Sequence, residues 1–189
     1  MTLAELTPPG SEPLTLAEAK AHLRLETADE DALVTALIRT VRQHLERETG
    51  LALISRSLRL YLDDWPDTRI ISLPVGPVTA VDGVTLYDAE GHPSEIGAAG
   101  FVLDGRAYPP RLLAPVLPSP DQPLNGIEID LTAGFGPTGA TVPDGLKRAM
   151  LQHLALLFAF RGVVAPQDQP AGVPLGYDRL LAPYRMWRL

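Results

Sequence analysis

The sequence predicts an α+β protein: a helical bundle core, made of an N-terminal helical hairpin and a long central helix, with an inserted antiparallel β region and an extended C-terminal tail. Three observations predict it. Leu33, Leu37, Val41 and Leu45 recur every four residues, with Val34 and Ile38 beside them, the stripe of an amphipathic helix. Ala149 to Phe160 is apolar at every position except Gln152 and His153, so it reads as a helix that other elements must cover on several sides. Between these two segments, Ile127, Ile129 and Leu131 alternate with Glu128 and Asp130, the period-two signature of a strand with one buried face. The expected layout is helices over about 15–50 and 143–162, a β insertion over about 56–136 and a tail over about 177–189, all in one domain spanning 1–189.

In chain order, Met1–Leu6 lacks the basic start and apolar run of a signal peptide. Thr7–Pro13 holds three prolines and a glycine and reads as an extended leader. Thr15 with Glu18 is a capping box for a first helix ending near Arg24 or Leu25. Thr27 with Glu30 reads as a second capping box, opening a helix that runs to Thr49 and stops at Gly50. Arg39, Arg42, Gln43, Glu46 and Arg47 fall on the face opposite its apolar stripe and are expected to meet solvent.

The middle reads as strands and turns. Leu58, Leu60 and Leu62 alternate with Arg59 and Tyr61; Ile70–Leu73, Pro77–Val81, Val84–Tyr87, Phe101–Leu103 and Arg111–Leu113 are further extended runs. Asp88-Ala89-Glu90-Gly91 and Asp104-Gly105 carry turn residues. Pro115–Gly126 contains four prolines and reads as an exposed loop. Pro143 and Asp144 suit the first turn of the central helix, and Gly162 its stop. That helix is too short in its apolar run, and too close to Lys147 and Arg148, to span a bilayer.

Composition narrows the function. The chain has no cysteine, hence no disulfide framework and no thiolate chemistry. A net charge of −7 argues against a surface that wraps nucleic acid, which is normally basic. The helical hairpin invites a helix-turn-helix reading, but its link, Glu26–Glu30, is acidic and its second helix is not a basic reading face.

No catalytic constellation is legible. His22, His44, His92 and His153 lie on different elements with no i, i+4 pair. His153, on an apolar helix, reads as a satisfied core or interface histidine. Asp63-Asp64 and Asp29-Glu30-Asp31 stand at element ends, where capping and solvation are the ordinary roles. Gly134–Gly139 is glycine-rich without a following basic residue in phosphate-loop register. Neither an enzyme activity nor a cofactor or metal is expected. The alternatives are a small hydrolase using Asp63 or Asp64, which requires a concave pocket with convergent titratable groups, and a DNA-binding packaging subunit, which requires salt-sensitive DNA affinity.

The order of motifs resembles the phage head–tail connector family. Leu14–Leu25, the acidic link and a helix ending Glu46-Arg47-Glu48-Thr49-Gly50 are similar to the start of such proteins. So are Ile71-Ser72-Leu73-Pro74 with Pro77–Val81, the Tyr87–Gly91 hairpin, Thr132–Gly136, Val142–Ala149 and Leu180–Arg185. The resemblance covers nearly the whole chain and is nearest to the adaptor branch of long-tailed phages, prophages and gene transfer agents.

It implies a structural protein of the head–tail junction of a virion or phage-like particle, made in the bacterial cytoplasm. The implied partners are the portal protein, a tail-side stopper or tail terminator protein, and eleven further copies in a dodecameric ring. DNA is expected to pass through the ring without specific binding, and no membrane is involved. The tail carries large apolar side chains among arginines, the residue types enriched in interface hot spots. The resemblance implies that Leu181, Tyr184, Arg185, Trp187 and Arg188 form a portal-binding segment.

Overall fold

The computed structural model describes residues 1–105, 107–160 and 173–185. Among the described residues, four α-helices and two antiparallel sheets give an α+β architecture. The helices are α1 (Leu16–Leu23), α2 (Asp31–Thr49), α3 (Asp144–Ala159) and α4 (Tyr177–Leu181). The strands are β1 (Thr2–Glu5), β2 (Arg56–Leu62), β3 (Ile70–Ser72), β4 (Val78–Tyr87), β5 (Pro93–Glu95), β6 (Val102–Asp104), β7 (Arg111–Leu113) and β8 (Ile127–Ala133).

The helices share one apolar core. Ala19 of α1, Val34, Ile38, Val41 and Leu45 of α2, Leu146, Ala149, Met150 and Leu154 of α3, and Tyr177 and Leu181 of α4 meet in it. Local chemistry sets the ends. Thr15 Oγ1 accepts from the Glu18 amide at 3.1 Å while Glu18 Oε2 accepts from the Thr15 amide at 2.7 Å, so the first capping box forms. Glu18 also receives Lys147 Nζ of α3 at 2.6 Å, which ties the start of α1 to α3. Gly50, at φ 74°, turns the chain out of α2.

The second capping box does not form. An Ala28–Asp31 turn takes up the link; Glu30 stands at the N-cap without a side-chain cap bond. Lys20 Nζ holds Asp31 at 2.5 Å and fixes α1 against the first turn of α2.

The buried stripe of α2 is rotated from the expected one. Leu33 and Leu37 are half-buried, while Arg42 and Glu46, expected in solvent, are buried at 5% and 8% exposure. Partners from outside the helix explain the difference. Glu12 of the leader takes Arg42 Nε at 2.7 Å. Glu46 accepts from Arg42 Nη1 at 2.8 Å, from the Leu53 amide at 2.8 Å, and from Arg56 at 2.8 and 3.0 Å. Arg56 also faces Glu5 of β1 at 2.9 Å. This charged chain links leader, α2 and sheet, and each charge in it faces an opposite one.

The larger sheet runs β1-β2-β8-β4-β5 and the smaller β3-β7-β6. Leu58, Leu60 and Leu62 of β2 and Ile127, Ile129 and Leu131 of β8 point inward as the alternation predicts. They share a core with Ile71 and Leu112 of the smaller sheet. On the outer face Arg59 pairs across to Asp130 at 2.6 Å and to Glu128 at 2.7 Å.

Further features depart from the sequence reading. Residues 78–87 form one strand, bulged between Val78 and Ala80 and between Val81 and Gly83, so Asp82-Gly83 bends the strand without ending it. The N-terminal residues form an edge strand on β2. The central helix ends at Ala159; the expected stop, Gly162, lies outside the described residues. It is also covered less than expected: Leu146, Ala149, Met150, His153 and Leu154 are buried, but Leu151, Leu157 and Phe158 are only partly so.

The chain leaves the helical core after Ile54 and returns at Phe135, and the two crossings touch. The Ser55 amide donates to the Gly136 carbonyl at 2.8 Å. Gly134, at φ 139°, lies so close to Ser55 that a Cβ would fall 2.4 Å from its backbone. No helix among the described residues is long and apolar enough to cross a membrane.

Candidate partner-binding site

The tail is seated on the helical core through a polar and aromatic cluster. Tyr177 of α4 is fully buried. Its ring centroid lies 5.5 Å from His153 of α3 and 6.2 Å from His44 of α2, and the two histidine rings stand 4.8 Å apart, edge to face. Among the described residues, neither the Tyr177 hydroxyl nor His153 Nδ1 has a hydrogen-bond partner. His153 is thus a buried histidine of the helical core, packed on aromatic rings. Burial, with His44 adding to it, pushes its pKa down. Burial likewise pushes the Tyr177 phenol up.

Beyond α4, Pro183 allows one short helical turn, Ala182–Tyr184. Arg185 then reaches back to Glu48 of α2 and to Asp178 of α4, the latter at 2.5 Å. Glu48 also lies 3.4 Å from His44 Nε2. The Tyr108 hydroxyl, from the loop before β7, donates to the Tyr184 carbonyl. Tyr184 and Pro183 border a cleft of about 260 Å³ with Leu51, Phe135, Tyr108 and Pro110, where the tail bridges the helices and the smaller sheet.

The five tail residues singled out in the sequence therefore have different surroundings. Leu181 is fully buried in the helical core. Tyr184 is half-buried, and Arg185 is a partly exposed ion-paired residue on the surface. Trp187 and Arg188 lie outside the described residues. Sequence reasoning missed the seat itself, Tyr177, His44 and Glu48. Its one visible signal was His153, a polar residue in an apolar helix.

The acidic residues proposed for hydrolysis hold backbone instead. Asp63 accepts from the Asn125 amide at 2.9 Å and Asp64 from the Trp65 amide at 2.7 Å. They border an apolar cleft of about 320 Å³ with Met1, Leu62, Pro66 and Ile70. Asp88, Glu90 and His92 bring three possible metal-ligating atoms within 4.8 Å of one another in the exposed β4–β5 turn. There Asp88 accepts from the Glu90 and His92 amides at 3.0 and 2.8 Å, the role of an Asx turn.

Two comparisons bear on what this arrangement serves. The family model for the phage gp6-like head-tail connector protein matches residues 13–96. A chain in the virion of a native gene transfer agent particle is 33% identical, with TM-score 0.84, over 100% of this chain and 97% of that one. The chain belongs to the phage head–tail connector family. A further similar chain, in the neck of an empty gene transfer agent particle computed with C6 symmetry, shares 33% identity and TM-score 0.82; another, in the neck of a native particle computed with C12 symmetry, shares 31% and 0.80. Both match over 100% of this connector and 97% of their own length. No curated protein matches it. The connector family is a structural one.

Proposed function

We propose that this connector forms a twelve-membered ring beneath the portal, extends the DNA channel toward the tail and joins the filled head to a tail-side stopper or terminator protein. The observation that carries this reading is the whole-length similarity to a neck chain solved with C12 symmetry. The tail is the portal-binding segment: Leu181 and Tyr177 anchor it from within the core, and Tyr184, Arg185, Trp187 and Arg188 make the contact. Arg185 is suited to that role because its partners, Glu48 and Asp178, are at the surface, where exchanging one carboxylate for another costs little. The net charge of −7 favours passage of DNA over its retention.

The test is complementation of particles lacking the gene. Full-length protein restores tailed particles; a variant lacking residues 183–189 folds but leaves DNA-filled, tailless heads. Tailed particles at the normal level from that variant would refute the tail assignment. Tailed particles without any of the protein would refute the connector role.

A further inference from the structure

The smaller sheet presents an apolar row to solvent that its own fold does not use. Its inner residues, Ile71 and Leu112, are buried against the larger sheet. The alternate residues point outward, and the register lines three of them up: Leu113 faces Ile70 on one side and Val102 on the other. These are 46%, 38% and 59% exposed for Ile70, Leu113 and Val102 respectively. Directly opposed side chains on a sheet lie about 5 Å apart, so the three form one continuous ridge. Single exposed apolar residues need no explanation, but a contiguous patch does.

The ridge has a hydrophobic extension and a polar rim. At the Ile70 end it runs into the cleft shared with Met1, itself 63% exposed, and Leu62. The next row of the sheet is Ser72, Arg111 and Asp104, where Arg111 Nη2 meets Asp104 at 2.6 Å. An apolar centre with neutralised charge at its edge is the anatomy of a protein–protein contact. It is unsuited to DNA, which is gripped by unpaired cations.

We infer that the Ile70–Leu113–Val102 ridge is a contact between adjacent copies of this chain in the ring; this rests on the ring proposed above. Two observations favour a second copy as the occupant. Similar chains occur in necks with C6 and C12 symmetry. A chain of charge −7 repels its own copies at long range, and an uncharged apolar contact adds nothing to that repulsion. A closed ring uses heterologous contacts, in which the ridge of one copy meets a different face of the next.

The absence of cysteine from the sequence allows a direct test. Val102→Cys supplies a single thiol, probed with a maleimide in the isolated protein and in assembled particles. The expected result is full labelling in isolation and loss of labelling in particles. A thiol–photocrosslinker placed there should yield a product of about twice 20.4 kDa, the mass of two copies. Leu113→Asp, a surface change, should leave the melting temperature of the isolated protein unaltered and abolish its incorporation into particles.

Full labelling in particles whose wild-type ring is visible by microscopy overturns the inference, as does a cross-link to a different protein. Normal incorporation of Leu113→Asp overturns it too. Wild-type particles without a ring would instead refute the ring reading itself, whatever the labelling shows.

Discussion

Glu46 shows how much one side chain can organise. Its carboxylate takes donors from α2, from the chain leaving α2 and from β2. Glu46→Ala takes one of two carboxylate partners from buried Arg42 and from part-buried Arg56, and orphans the Leu53 amide. The expected loss is about 1–3 kcal/mol, measured as a fall in the denaturant midpoint. Its position was not legible. Arg42 and Glu46 read as part of the face opposite the apolar stripe, and only Glu12, thirty residues earlier in the chain, and Arg56 reveal that they are covered. Glu18 was legible, because a capping box is written in four consecutive residues. The Lys147 ammonium, with Thr15 assisting, holds its carboxyl down from the ordinary 4.5 to about 2. The folded form is the weaker proton binder, so the contribution is whole above pH 4.5 and lost as pH falls toward 2. Glu18→Gln should flatten the acid limb of the stability–pH curve over that window.

At the scale of elements, α2, α3, β2 and β8 were legible because their periodicity is sustained and their ends carry glycine, proline or charge. The β1 strand was not: four residues with only Leu3 and Ala4 half-buried carry no alternation, and the segment is ordered by the open edge of β2. The tail divides similarly. Its large apolar residues were evident, but Leu181 is spent on the chain's own core, which no local pattern distinguishes from an outward anchor. The seat of α4 sets a second pH dependence. His153 faces His44 and Glu48 of α2 and Tyr177 of α4, with Arg185 and Asp178 close by. Its depressed pKa means the docked helix is favoured above the ordinary value of 6.5 and loses that advantage as pH falls. Amide protection in residues 177–181, taken relative to the intrinsic exchange rate at each pH, should fall between pH 7 and pH 5, and His153→Gln should remove the change.

For the whole molecule, the acidic balance yields the plainest expectation. Duplex DNA at physiological salt should show no retention by roughly micromolar protein. Sub-micromolar affinity with a steep salt slope would favour a packaging subunit over a conduit. The α+β class and the family were both recoverable from sequence, since the motifs keep their order even where each alone is weak. The division into two cores, and the charged chain that joins them, depend on contacts made across the whole chain and are written in no single stretch.

The touching crossings at Ser55 and Gly136 have an engineering consequence. Everything between them is a cassette whose two ends meet at hydrogen-bonding distance, 2.8 Å. A short turn replacing residues 57–132 should therefore leave the helical part with its apolar residues, including Leu53, Ile54 and Phe135, in place. Far-ultraviolet dichroism of such a minimised chain should report a cooperatively melting helical protein, and a foreign β domain with closely spaced termini should graft at the same seam.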